Sequence, residues 1–281
     1  CVKFHLNMTK EQLDTLTESV KTLAIETGHF LRKERQGFDR NSVEQKRSHD
    51  YVSYVDKASE KMIVSRLKAL LPEAGFIAEE GSAKMNGEPF CWLVDPLDGT
   101  TNFIHDHAPY CVSIGLRDEN EMLLGVVYEC HREELFWANK YSKAYLNGTP
   151  ISVSKVSDMD QAAILLGFPY DALHFRDFIV KLVNQLYGNV STLRLLGSAA
   201  AEICYVAAGR FESRIEGLIG PWDVAAASII LKQAGGRVSD FSGKESELFY
   251  SGKETLVSNG LVHEAMMREV SKVLCDKGHF F

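Results

Sequence analysis

The stretch that most constrains this chain is Trp92-Leu93-Val94-Asp95-Pro96-Leu97-Asp98-Gly99-Thr100-Thr101-Asn102-Phe103. The apolar run from Phe90 to Val94 predicts a buried strand, stopped by a carboxylate, a proline, a second carboxylate and a glycine. Pro96 fixes its own φ and donates no hydrogen bond, and Gly99 can take the φ that a tight strand exit needs, so two acids meet on a stiff turn. Mg²⁺ takes oxygen ligands in a near-octahedral shell and is usually held by one or two carboxylates with a substrate phosphate. Asp95 and Asp98 supply such oxygens. Behind them, Gly99 to Asn102 are placed to open a helix whose free N–H groups would seat an anion. Taken alone, an Asp-x-x-Asp is more often a pair of turn caps.

The whole string resembles, almost residue for residue, the Asp-Pro-(Ile/Leu)-Asp-Gly-Thr-Thr-Asn-Phe signature of the inositol monophosphatase family, Mg²⁺-dependent, lithium-sensitive phosphatases. A second string, Pro221-Trp222-Asp223-Val224-Ala225-Ala226-Ala227, ending at Ala234-Gly235-Gly236, resembles that family's second signature and follows in the expected order. The resemblance implies a metal site made of Glu79, Asp95, the Leu97 carbonyl, Asp98 and Asp223, holding two or three Mg²⁺ ions with Mn²⁺ as a substitute. It also implies that Thr100, paired with Asp56, orients the attacking water, with Glu79 as the third catalytic residue. The implied substrate pocket comprises Gly99, Thr100, Ser198, Ala199 and Glu216.

Each of these has a plainer reading in isolation. Glu79 and Glu80 are solvated charges after the strand Phe76 to Ala78. Asp223 and Asp56 are helix caps, and Lys46, where the family has a lysine nearby, is a solvent lysine on a polar loop. The chain departs from the family pattern at Ser213, Arg214 and Ile215, where a small residue and aromatics are expected before Glu216, and at Gln233 in place of Glu. The first departure bears on the substrate rather than on the chemistry.

Along the chain, Thr9 with Gln12 makes a capping box ahead of an apolar stripe from Leu13 to Leu31, which predicts a long amphipathic helix closing near Gly37. Val52 to Val55 predicts a short strand, with Asp56 capping a helix that Pro72 ends. Strands are expected at Cys111 to Leu116, Met122 to Tyr128 and Glu134 to Ala138. Asn147-Gly148 marks a hairpin. Beyond residue 150 the pattern alternates: strand 163–166, helix 175–186, strand 191–196, an alanine-rich helix from Ser198, an extended segment 211–216, and a helix from Pro221. The expected architecture is α+β, a layered αβαβα sandwich of the inositol monophosphatase/fructose-1,6-bisphosphatase type, with an antiparallel sheet followed by a smaller mixed sheet. A boundary falls near 150, between an N-terminal half (1–150) carrying most metal ligands and a C-terminal half (151–281) carrying the substrate pocket and Asp223.

Composition matters mainly for what it excludes. A net charge of −7 advertises no basic face for nucleic acid or acidic lipid. The 6 cysteines are scattered singly, without the pairing of a disulfide framework or zinc knuckle, which fits a reducing cytoplasm. No charged-then-apolar leader precedes Thr9, and no apolar run approaches the ~20 residues of a membrane span. Cys111 to Arg117 has the Cys-x5-Arg spacing of thiolate phosphatases, but it alternates like a strand instead of forming a glycine-rich cradle. The haloacid dehalogenase motif has one residue between its acids, where this chain has Pro96 and Leu97. His105 and His107 evoke zinc, but the other candidate ligands are all oxygen.

The function implied is that of a metal-dependent phosphoric monoester hydrolase of the inositol-1-monophosphatase type, acting on a small phosphorylated polyol or sugar, in a homodimer. The alternatives are another superfamily phosphatase, for histidinol phosphate, fructose bisphosphate or a 3′,5′-bisphosphate nucleotide, and a regulatory protein contacting RNA or the transcription machinery on the same scaffold.

Overall fold

Thr9 and Gln12 cap one another reciprocally at the start of α1 (Lys10–Gln36), whose stripe Leu13, Leu16, Val20, Leu23 and Leu31 is buried. The computed structural model describes residues 8–39, 43–47, 50–169 and 173–275, without the side chains of 45–47, 50–52, 173, 174 and 275. After α1, β1 (Glu44–Arg47) and β2 (Asp50–Val52) form a small antiparallel hairpin. Lys46 lies on β1, and its side chain is outside the described residues.

Helix α2 (Tyr54–Leu70) is capped by Ser53, with Asp56 at the third helical position closing a capping box. The expectation that Asp56 caps the helix is therefore corrected: Ser53-x-x-Asp56 is the box, and the strand stops before it.

Strands β3 (Ala74–Ala78) and β4 (Phe90–Asp98) lead to the short helix α3 (Thr100–His105). Strands β5 (Cys111–Arg117), β6 (Met122–Glu129), β7 (Glu134–Asn139), β8 (Tyr145–Leu146) and β9 (Thr149–Pro150) follow in meander order. Together β3 to β9 make one sheet in sequence order. All neighbours are antiparallel except β3 and β4, which run parallel, so the first sheet is not purely antiparallel. That parallel pair lets two strands end in acids at the same edge. Asn147 and Gly148, both at positive φ, make the β8–β9 turn as the sequence predicts.

The second half comprises β10 (Ala163–Leu166), α4 (Leu173–Leu186), β11 (Thr192–Arg194), α5 (Ala199–Ala207), β12 (Ser213–Gly217), α6 (Pro221–Gln233), β13 (Arg237–Ser239), α7 (Glu247–Tyr250), β14 (Glu254–Ser258) and α8 (His263–Cys275). Its sheet has the order β11-β10-β12-β14-β13, parallel at β10 and antiparallel around β14.

Five layers result. Trp92 and Val94 of β4 join the cluster under α1 and α2, while Cys91 and Leu93 between them pack on Ala225 and Ile229 of α6. A strand covered on both faces has no polar alternation, which is why β4 reads as one apolar run. Helices α5 and α6 form the middle layer, whose cluster mixes Val127 and Phe136 of the first sheet with Val257 of the second. Helices α4 and α8 cover the far face through Phe175, Phe178, Met266 and Val270. Close approach of α6 to the first sheet requires glycine there: a Cβ at Gly125 would lie 2.1 Å from the Ala226 carbonyl oxygen. No helix among the described residues is long and apolar enough to cross a membrane.

Candidate functional site

On a regular strand, Asp95 and Asp98 would face opposite sides of the sheet. Strand β4 avoids this by a register shift against β5: Asp95 pairs with Ser113 and Asp98 with Cys111, so the intervening Pro96 and Leu97 are accommodated in an irregularity. The strand therefore continues through the expected stop, and both carboxylates turn to one cavity. Asp223 enters from α6, where Pro221 starts the helix and the Asp223 carboxylate accepts the Gly220 N–H at 2.6 Å. The Ser113 hydroxyl donates to the Trp222 carbonyl at 3.2 Å, tying that helix start to β5.

Asp95, Asp98 and Asp223 each offer a carboxylate oxygen, and these oxygens lie within 4.8 Å of one another. Among the described residues no histidine or cysteine belongs to such a group, and His105 and His107 do not join it. Burial pushes the Asp95 and Asp223 carboxyls well above the usual carboxylate range, and the charges of Glu79 and Asp98 push each further. Burial raises Asp98 too, opposed by hydrogen bonds from Ser198 and Ala200. Two buried acids and a half-buried one this close repel one another unless protonated or bridged by a cation, and an all-oxygen donor set fits Mg²⁺ or Mn²⁺. Glu79 lines the same cavity from the end of β3 but stands outside the trio.

The Asp56 and Thr100 side chains meet across α2 and α3. Asp56 is fully buried; its Oδ2 accepts the Ser53 N–H at 2.8 Å and the Ser53 hydroxyl at 2.7 Å, leaving Oδ1 to accept the Thr100 hydroxyl at 3.1 Å. The Leu97 carbonyl lies 3.0 Å from the same hydroxyl and competes for its single proton. Gly99 caps α3 at φ 90°, and a Cβ there would sit 3.0 Å from the Pro109 carbonyl oxygen, so conformation and space both require glycine. Asn102 of the same string is structural: its amide donates to the Pro109 and Leu196 carbonyls at 2.7 Å each.

Ser198 and Ala199 lie beside the acids through a cross-chain cap. Ser198 is the N-cap of α5 but its side chain caps nothing there. Instead, Asp98 accepts the Ala200 N–H at 2.8 Å, the Ala199 N–H at 3.2 Å and the Ser198 hydroxyl at 2.7 Å. Glu216, on β12, lines the same cavity, whose volume is about 760 Å³. Burial raises its carboxyl to about 7, against the opposing charge of Arg214. The thiol of Cys111 is buried on β5 and pushed up by burial and by Asp98, which removes the thiolate-phosphatase reading of that segment.

Sequence reasoning missed two contributors. Glu60, fully buried on α2, accepts the Glu80 and Ser82 N–H groups at 2.6 and 2.7 Å and so holds the turn that carries Glu79. Its signal was a run of polar residues, Asp56, Ser59 and Glu60, on the buried face of α2. Glu202, on α5, is 1% exposed and pairs with Arg214.

The family model of the inositol monophosphatase family matches residues 12–274. The fructose-1,6-bisphosphatase/inositol-1-monophosphatase of Thermotoga maritima is 34% identical over 267 residues, covering 95% of this chain and 99% of the relative. The Nus factor SuhB of Escherichia coli K12 is 34% identical over 254 residues, covering 90% and 94%. Among solved structures, the extragenic suppressor protein suhB from Bartonella henselae superposes with a TM-score of 0.86 at 30% identity, over 92% of this chain and 99% of that one.

Proposed function

Because the chain belongs to the inositol monophosphatase family, we propose that it hydrolyses a phosphate monoester of a polyol or sugar, inositol 1-phosphate first among them, with Mg²⁺ at the acids. The observation that carries this is the approach of Asp95, Asp98 and Asp223 to within 4.8 Å, in a cavity that Thr100 also lines. These three acids, with Glu79 and the Leu97 carbonyl beside them, are the residues that would hold the metal. When bound there, Mg²⁺ supplies positive charge to phosphoryl oxygens as negative charge builds on them.

The protein's own groups do the rest. Ser53 fixes one Asp56 oxygen, so the other is presented to Thr100 in a single orientation. A hydroxyl has one proton. Once that proton is committed to Asp56, the Thr100 oxygen accepts a hydrogen from water and aims the water at phosphorus. Gly99 and the first N–H groups of α3 face the phosphate. The alcohol falls between the Ser198–Ala199 helix start and Glu216, whose carboxylate accepts its hydroxyls.

The test is phosphate release from a panel of inositol, sugar, histidinol and nucleotide phosphates, with Mg²⁺, with chelator, and with added lithium. Turnover that needs Mg²⁺ and falls with lithium supports the reading; turnover unaffected by chelator overturns it. A second reading rests on the name of the Escherichia coli relative, a Nus factor: the chain contacts the transcription machinery. Co-purification of RNA polymerase with a tagged Asp223→Asn variant would support it, and its absence at low salt would remove it.

A further inference from the structure

The wall of the cavity that Glu216 lines is built on a buried cation shared by two carboxylates. Arg214, 1% exposed, donates through Nε to Glu202 at 2.7 Å and through Nη2 to Glu216. Glu202 is itself fixed, because its other oxygen accepts the Leu196 and Gly197 N–H groups at 2.8 and 3.1 Å. The plane of the guanidinium is therefore set by the turn that leads into α5. Glu216 is also confined by Gly167: a Cβ there would lie 2.0 Å from the Glu216 carboxyl carbon and 2.2 Å from Oε2. Gly167 does not occupy the left-handed region, so its backbone would accept alanine; only the space taken by Glu216 forbids a side chain.

We propose that Arg214 and Gly167 are specificity-determining positioning residues, which clamp Glu216 as a hydrogen-bond acceptor for hydroxyl or ammonium groups on the alcohol and deny the site to a second phosphate. This deepens the phosphatase reading above and rests on it. A carboxylate held in one orientation rewards alcohols that present donors and penalises those lacking them. Arg214 is the only cationic side chain among the described residues lining the cavity, against several carboxylates. Turning it towards a second phosphate would strip two buried carboxylates of their partner, which is costly. The preferred substrate is then a monophosphate whose alcohol bears donors and no further anionic group.

The experiment compares wild type, Arg214→Lys and Gly167→Ala on inositol 1-phosphate, on p-nitrophenyl phosphate, whose alcohol has no donor, and on a sugar monophosphate with its bisphosphate. Wild type is expected to favour the monophosphate in kcat/KM by about tenfold. Gly167→Ala keeps both charged groups but displaces the Glu216 carboxylate, and is expected to raise KM for inositol 1-phosphate about tenfold more than KM for p-nitrophenyl phosphate. Arg214→Lys keeps the charge but not the two-armed geometry, and is expected to show the same split in smaller measure. Equal KM changes on both esters, a fall in kcat with no split, or a wild-type preference for the bisphosphate overturns the clamp while leaving the phosphatase reading intact. A wild-type protein that turns over none of the four esters with Mg²⁺ defeats both.

Discussion

The Asp98 carboxylate accepts the Ala200 N–H at 2.8 Å, so an acid at the end of β4 caps a helix that belongs to the other half of the chain. The side chain has two duties at once: one towards Asp95 and Asp223 in the proposed cation site, the other completing the first turn of α5.

Asp98→Asn should therefore fail twice. A carboxamide has one acceptor oxygen and would point its NH₂ at a helix donor, at a cost of about 1–3 kcal/mol. Losing the ligand charge should lower turnover by about a hundredfold or more. A lower melting temperature beside lost activity is the expected pair; a variant that melts with wild type contradicts the capping role.

Cation binding should stabilise the fold. At about 100 times its dissociation constant, Mg²⁺ should add about 2.7 kcal/mol to the unfolding free energy. Asp223→Asn should lose most of that gain, as followed by denaturant melts with and without Mg²⁺.

Glu60→Gln should weaken the turn that carries Glu79. Glu60 accepts two N–H groups with its two oxygens, and the amide can accept only through one. One buried donor is left facing another, worth about 1–3 kcal/mol. The Mg²⁺ midpoint in a thermal-shift titration should rise with it, whereas an unchanged midpoint would show that Glu60 serves folding alone.

His263 should make stability depend on mildly acid pH. Its imidazole is buried between the Ser239 and Ser258 hydroxyls at 2.9 and 2.8 Å, and burial, followed by the charge of Arg237, lowers it from 6.5 to about 4. Between those values the unfolded chain binds more protons than the folded one, so the contribution is fully present above 6.5 and is lost as pH falls towards 4. The loss is at most about 3 kcal/mol. The difference between wild-type and His263→Gln unfolding curves isolates it; parallel pH profiles would exclude it.

The parts of this molecule that were legible in the sequence are those where one local interaction decides the structure. The Thr9–Gln12 capping box, the Asn147-Gly148 turn and the apolar run into Asp95 each carry their reason within a few residues. What was hidden depends on partners far along the chain. Asp95-Pro96-Leu97-Asp98 looked like the end of a strand because proline and acid stop most strands, yet pairing with β5 carries the strand through. The three-residue β13 shows no periodicity and is made by its pairing with β14 in the second sheet. Glu202 lies on an alanine-rich helix with nothing local in the sequence to mark it. Only burial of every residue from Ala199 to Ala207 reveals that it has no water to face.

The contact of Gly125 with Ala226 sets how deep α6 can sink towards the first sheet, and Asp223 rides at the end of that helix. The reach of the third acid is thus fixed by a missing side chain on a strand that carries none of the three. A methyl group added there would lift an acid it never touches, which makes the α6-facing side of β6 a place from which the spacing of the three carboxylates can be tuned.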